Sequence, residues 1–541
     1  MSNNTCPPHF HFTSSNPDTT GLRIISVSDD RTGFTVRTAI AHDGKQVPAI
    51  MAFAGARFSR SALTAEELFT EIHISKKSAQ KKLANIFVNY GHSSVGDMAM
   101  LFAYIEYVPR YLMMQFFYSS ALGGGQERSS RYQDFSTAQP PKLSTYLPNP
   151  NPELEAKYQR IFSSMIASYQ KYLPIITEAY TDLYQPDPNN AGHASALQAR
   201  VFDTVRCFLP AGTNTSGSYI TSAREWARLI QVFRSARGKQ ERFLAEQLEI
   251  LFAPPAEVQE KLNYLPEAPD LIRHTEDDPR TRYVLEQLAT FTNSLRSKPT
   301  KQRSVQKQSV LTTHASMDPA QTYLYFSILR LFPSLKATKV ADWMTTLPTT
   351  TLKKISEILL RSYDHHHHLP HYAQTGGYTF ELNMSLGEAI DFNRHRAWGR
   401  FTPFLETEDV LSLIREGFHL PLYLKNPKLS HLRDEFVATL DSHYQQLQDF
   451  AAELPKDADQ RILLSLLPNA HHTRYYLTGG PKELSYLTQL RVRPGGHINY
   501  RMMAYELAKT ASTISPLTSA LGLRKHLKPD PFSRSEFFDR S

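Results

Sequence analysis

The sequence predicts an α+β fold laid down twice along one chain of 541 residues. Two observations predict it. A half-buried strand pattern at 101–107 (LFAYIEY) returns at 378–382 (YTFEL), each followed by a polar loop, a long amphipathic helix, a Leu-Pro segment and another helix. The helical stripe of Leu154, Tyr158, Phe162, Ile166 and Tyr169 is also matched at a constant offset by Leu432, Phe436, Leu440, Tyr444 and Leu447. Such repetition of one supersecondary order marks internal duplication, with a sheet covered by long helices in each half.

Each element has its own signal. Phe208-Leu-Pro-Ala-Gly-Thr-Asn-Thr, then Tyr219, in the first half stands against Leu466-Leu-Pro-Asn-Ala-His-His-Thr, then Arg474, in the second. Polar, Pro-containing residues 1–21 predict a disordered tail. Residues 22–253 and 318–541 form the two expected domains. Between them, 254–317 holds PPAEVQ, LPEAPD and the basic run KPTKQRSVQKQSV, a linker or surface excursion with a helix around Tyr283–Leu295.

Composition narrows the classes. Hydrophobic residues make up 41% and charged residues 21%, as in a folded globular protein. No apolar run reaches the roughly 18 residues of a membrane helix. The first residues lack the basic start and apolar stretch of a signal peptide. Two cysteines, Cys6 and Cys207, give neither a disulfide framework nor a thiolate metal site, and a cytoplasmic protein is expected. A net charge of +8 suits anionic nucleotides as well as nucleic acid. The basic linker lacks interleaved aromatics, which argues against nucleic-acid binding. The tract Asp364-His-His-His-His368 with His371 lacks the spacing of a structural metal site, so no metal is expected.

Three clusters carry chemistry. Gly123-Gly-Gly125 precedes Gln126-Glu127-Arg128-Ser129-Ser130-Arg131-Tyr132. Glycines allow close backbone approach to a ligand, and an arginine fork with serine hydroxyls suits a phosphate. Arg394-His395-Arg396 presents consecutive donors that cannot share one helical face, as separated pyrophosphate oxygens require. Arg474 and Arg501 lie far apart in sequence and need a fold to meet. On spacing alone, solvated surface is the better reading of the first two clusters, and Arg474 and Arg501 read as two unrelated surface arginines.

In this order the clusters resemble the flavin-dependent thymidylate synthases. Ala54-Gly-Ala-Arg57-Phe-Ser59, Tyr90-Gly-His92-Ser-Ser94, Gln115 and Gln126 to Tyr132 look like that family's opening segment, Gly-His turn and substrate-nucleotide loop. In the first half Tyr118-Ser-Ser120 replaces the family's Arg-His-Arg triplet, and Ser216 replaces the arginine after Tyr-Thr. The second half keeps Arg394-His395-Arg396, Thr473-Arg474 and Leu490-Arg491 through Arg501. It lacks the nucleotide loop, and Asp391 stands where Gln115 would.

The resemblance implies two diverged copies of the synthase core, each retaining what the other lost. It implies FAD as cofactor, NADPH and methylenetetrahydrofolate as cosubstrates, and methylation of dUMP to dTMP. Gln115, Glu127, Ser129, Ser130, Arg131, Arg474 and Arg501 would hold dUMP, with Ser129 and Arg501 at the reacting pyrimidine. His92, Ser94, Arg394, His395, Arg396 and Arg491 would hold FAD. A homodimer would rebuild the family's tetramer. Arg131→Ala or Arg474→Ala is expected to abolish dUMP binding while leaving the fold intact. The alternative is a non-catalytic flavin- or nucleotide-binding relative.

Overall fold

The computed structural model describes residues 7–15, 22–41, 93–278, 304–315 and 377–539, apart from 121, 237, 407–409, 456–457, 515–517 and 520, together with 48, 49, 52, 53, 56, 342, 343, 346–351, 353 and 354. The histidine tract, His92, Arg57, Ser59 and the helix expected around Tyr283–Leu295 lie outside the described residues.

Two antiparallel sheets organise it. The first contains β1 (Phe10–Ser15), β2 (Leu22–Asp29), β3 (Thr35–Ala41), β4 (Met100–Pro109), β5 (Gly124–Glu127) and β6 (Asn214–Ser222), in the order β1-β2-β3-β4-β6-β5. The second contains β7 (Ser309–Ala315), β8 (Tyr378–Ser385), β9 (Gly399–Phe401) and β10 (His472–Gly479), in the order β7-β8-β10-β9. The strip β3-β4-β6-β5 therefore has the same order as β7-β8-β10-β9. Strand β4 alternates because one face packs on helices. Leu101, Ala103 and Ile105 are buried while Met100 and Tyr104 face outward.

Helix α1 (Arg110–Ser119) follows β4. Helix α2 (Pro152–Tyr184) starts where Asn151 accepts from the Glu153 N–H at 2.9 Å, with Pro152 just inside. It ends where Gln185 turns left-handed at φ 48°. Helix α3 (Ala191–Val205), α4 (Ala223–Arg234) and α5 (Lys239–Phe252) complete the first half. In the second half, α6 (Leu386–Phe392) follows β8 and is closed by a capping box between Ser385 and Glu388. Helices α7 (Ser430–Glu453), α8 (Pro481–Arg491), α9 (Ile498–Ala511) and α10 (Arg534–Phe538) follow.

The long helices α2 and α7 pack on each other along the predicted stripes and run antiparallel. Tyr158 meets Phe450, Ser168 bonds His443 Nε2 at 2.8 Å, and Tyr172 bonds Thr439 at 2.9 Å. Beside them the two Leu-Pro segments exchange backbone bonds reciprocally. Ala211 donates to Leu467 O at 2.8 Å and Asn469 to Leu209 O at 2.9 Å. Gly212 donates to Ser465 O at 2.6 Å and Ala470 to Cys207 O at 3.0 Å. Each bond has a counterpart at one sequence offset, so the halves meet about a local pseudo-two-fold.

Three details differ from the sequence expectations. Phe10–Ser15, inside the expected tail, is a strand paired with β2. Strand β7 lies within 254–317 yet completes the second sheet beside β8. The chain's last helix returns to the first half, where Phe537 stacks on Tyr184 at 3.8 Å. No described helix is long and apolar enough to cross a membrane.

Candidate functional site

A polar cleft of about 170 Å³ opens between the halves. Phe117 of α1 and Gly125, Gln126 and Glu127 of β5 form one wall; Arg394 and Arg396, just after α6, form the other. The nucleotide-loop candidate and the Arg-His-Arg triplet, about 270 residues apart in sequence, thus share one cavity.

Packing sets this geometry. A Cβ on Gly125 would come within 2.6 Å of Ser218 O and 2.7 Å of the Phe117 ring. One on Gly123, at φ +150°, would meet the Tyr219 hydroxyl at 2.4 Å. The glycines are needed because β5 lies flat against Tyr219 and β6, an internal close approach. Gly125→Ala should therefore overpack the wall and destabilise the chain by roughly 1–3 kcal/mol. A thermal melt checks this, and an unchanged Tm would refute the packing account.

On the other wall, Arg394 is exposed and its side chain makes no ion pair or hydrogen bond among the described residues. Arg396 lies over the Tyr219 ring at 5.8 Å, and its buried Nη1 has no hydrogen-bond partner among the described residues. His395 turns inward instead. Arg491 Nε donates to its Nε2 at 2.6 Å, and burial with the adjacent Arg491 charge holds the imidazole neutral, its pKa down to about 3. Arg400 fixes the turn against the first half, donating to Tyr118 O and Ser120 O at 3.1 Å each. The backbone of the first half at Tyr118 and Ser120 therefore receives an arginine from the second.

Behind the cleft lies a buried charged cluster. Arg131 makes a bidentate pair with Asp203 at 2.6 and 2.9 Å. Burial raises the Asp203 carboxyl, but Arg131 more than offsets it and brings the pKa to about 2. Arg206 donates to Asp391 at 3.0 Å and to Ser130 Oγ at 3.4 Å. Burial also raises Asp391, and Arg206, Arg394 and Arg491 hold it well below the usual carboxylate range. Burial pushes Glu127 up, with Arg394 and Arg110 pulling it back. Six guanidiniums (Arg110, Arg131, Arg200, Arg206, Arg394, Arg491) thus face three carboxylates (Glu127, Asp203, Asp391) in one connected set. His497, buried among Arg131, Asp203, Arg206 and Asp391, stays neutral through burial, at about pKa 3. Positive groups outnumber negative ones in this set, which favours an anion in the cleft.

The remaining sequence candidates fall as follows. Ser129 is half-buried and accepts from the Arg131 N–H at 3.3 Å. Gln115 is half-buried on α1 and does not line the cleft. Arg501 is buried near Arg131, the two sharing the surroundings of Tyr423, and it pairs with Glu536 at 2.8 Å. Arg474 projects from β10 and pairs with Glu416, clear of the cleft lining. Ser94 lies in a 3-10 turn (Ser93–Met98). Among the described residues no group of three or more His, Cys, Asp or Glu could hold a metal ion.

Arg110, Asp203 and Arg206 escaped the sequence reading. Arg200, Asp203 and Arg206 recur every third residue in the otherwise apolar run ARVFDTVRCF, and Arg110 interrupts IEYVPRYLMMQFF. Charges breaking apolar runs were the available signal.

The fold and site define a two-sheet α+β protein with an arginine-lined cleft between its halves. Residues 41–251 match the family model described as thymidylate synthase complementing protein. The chain is 22% identical to a UPF0159 protein of Chlamydia pneumoniae over 79% of its own length and 77% of the relative's. It is 24% identical to a UPF0159 protein of Chlamydia muridarum over 79% and 78%. Among solved structures it is similar to the UMP/dUMP methylase PolB of Streptomyces cacaoi bound with 5-Br dUMP, at TM-score 0.30 and 15% identity, over 41% of this chain and 96% of that one. It is also similar to the flavin dependent thymidylate synthase ThyX of Helicobacter pylori complexed with FAD and dUMP, at TM-score 0.23 and 15% identity, over 40% and 93%.

Proposed function

We propose that this chain is a tandemly duplicated synthase that methylates dUMP to dTMP with FAD, NADPH and methylenetetrahydrofolate. One observation carries the reading: the cleft that joins Gly125, Gln126 and Glu127 of one half to Arg394 and Arg396 of the other. Each half has lost one of these clusters, and the fold brings the survivors together. The shared strand order and the reciprocal Leu-Pro bonds support duplication.

The residues present fit a phosphorylated cofactor and nucleotide. Arg394 has its guanidinium free among the described residues, Arg396 has an unpartnered buried Nη1, and positive groups outnumber negative ones in the cluster that Arg394 joins. Arg394 and Arg396 would hold FAD, which supplies the hydride chemistry when bound. Arg491 would act on the cofactor through His395, which it fixes as a neutral acceptor. Glu127, Ser129 and Ser130 would order the nucleotide, and Ser130 is held by Arg206. Arg131 and Arg501 supply positive potential beneath the site. Arg474 would serve the cleft of a partner chain in a homodimer.

The internal pairing of Arg131 with Asp203 and of Arg501 with Glu536 favours a second reading, a binding protein without turnover. One experiment separates the two. The chain is loaded with FAD and treated anaerobically with NADPH, with and without dUMP, and dTMP is then assayed after methylenetetrahydrofolate is added. Bleaching of the flavin band with dTMP formation is expected; a stable flavin band without dTMP would establish the second reading. Arg394→Ala/Arg396→Ala should weaken FAD binding by roughly 100-fold or more, two charge-assisted contacts being lost. Wild-type affinity in that double variant would refute the cofactor assignment.

A further inference from the structure

Arg110 opens α1 at a position where the repeat shows no need for charge. Its N–H bonds Thr213 O at 3.0 Å, and the next residue, Tyr111, bonds Ala211 O at 3.0 Å. In the second half Leu386 bonds His471 O at 2.8 Å, and Gly387 bonds Asn469 O at 3.0 Å. Arg110 and Leu386 therefore hold equivalent places, and Leu386 is a fully buried core residue. The same backbone is satisfied by an apolar side chain.

Arg110 is nevertheless 3% exposed, and its Nη1 has no hydrogen-bond partner among the described residues. A guanidinium buried without a direct ion pair costs stability. Burial pushes its pKa down to about 10, with Glu127 the foremost opposing charge. Glu127 itself lines the cleft, where its carboxylate would repel a phosphate. The other charged groups facing Glu127 are Arg394 and Asp391. Arg394 stands on the opposite wall and Asp391 is already taken by Arg206. Among the described residues, Arg110 alone backs Glu127 from its own half.

We propose that Arg110 is a positioning residue for ligand binding: it offsets the Glu127 charge inside the cleft wall and so lets the cleft accept a phosphate group. This rests on the reading that the cleft binds phosphorylated ligands. The phosphate belongs either to dUMP or to FAD, and separate titrations assign it.

The test compares Arg110→Leu and Arg110→Lys with the wild-type chain by equilibrium binding of dUMP and of FAD, together with thermal melts. Arg110→Leu should bind one of the two ligands about tenfold more weakly. Its Tm should equal or exceed that of wild type. Arg110→Lys should keep most of the affinity. The ligand that weakens is the one whose phosphate sits by Glu127. Affinities of Arg110→Leu unchanged for both ligands would overturn the proposal. So would a clear fall in its Tm with the affinity for both ligands lost alike, which marks a structural arginine. A wild-type chain that binds neither ligand would overturn the parent reading, and this one with it.

Discussion

Lowering the pH from 7.5 to 5.0 should unfold this protein. His395, His471 and His497 are held neutral at pKa about 3, and His443 and His472 at about 4, burial being the chief cause for each. His419, bonded to His472 Nδ1 at 2.8 Å, is lowered in the same direction by burial. In the unfolded chain each imidazole titrates near 6.5. Below that value the unfolded state binds protons that the folded state refuses, so stability falls as pH falls. Above it neither state is protonated and the contribution vanishes. Each histidine loses about 1.4 kcal/mol per pH unit, so at pH 5.0 the five together forfeit on the order of 10 kcal/mol. That matches the whole stability of an ordinary domain, roughly 5–15 kcal/mol. Unfolding should begin at the seam between the halves, where His443 bridges Ser164 and Ser168 of α2 and His471 bonds Tyr444 at 2.9 Å. Urea midpoints at pH 7.5, 6.0 and 5.0 test this. A midpoint independent of pH would mean that these histidines protonate within the fold.

The repeated order of elements was legible because it rests on periodicity. The stripe from Leu154 to Tyr169 and its twin from Leu432 to Leu447 predict long helices, and α2 and α7 are those helices. Strand β1 was less legible because His9-Phe-His-Phe-Thr alternates in a stretch otherwise polar and rich in turn formers. Its alternation counts only once β2 supplies a partner. The linker boundary misplaced β7 for a similar reason: basic, Gln-rich flanks hide a strand whose pairing with β8 is tertiary. At the site, the sequence singled out Glu127, Arg394 and Arg396, and the fold sets them around one cleft. It could not reveal that Arg131 faces inward. A phosphate-binding arginine and a buried, paired one look alike until Asp203, on helix α3, is seen opposite it. Exposed Arg394 and buried Arg131 differ in their surroundings, and neighbouring residues in sequence do not encode those.

Arg131→Ala was expected from sequence to leave the fold intact, and the buried pair reverses that expectation. The substitution should destabilise the chain by roughly 3–5 kcal/mol, because it strands the Asp203 carboxylate in the interior. Arg200 cannot take over. Its Nη1 stands 3.8 Å from Asp203, and its guanidinium already donates to the carbonyls of Gly496, Pro494, Phe537 and Asp539. His497, on the same cluster, could compensate only by taking a proton, which its burial opposes. Arg131→Met/Asp203→Leu removes both charges and keeps most of the volume, so it should recover most of the loss. Denaturant midpoints of wild type, Arg131→Ala and the double variant read this directly, and dUMP affinity of the double variant is then measured on a folded protein. If Arg131 adds only to stability, the double variant binds dUMP like wild type. If it also supplies potential to the cleft, affinity falls although the fold is restored. A single variant as stable as wild type would show that Asp203 finds another partner and that the pair is dispensable.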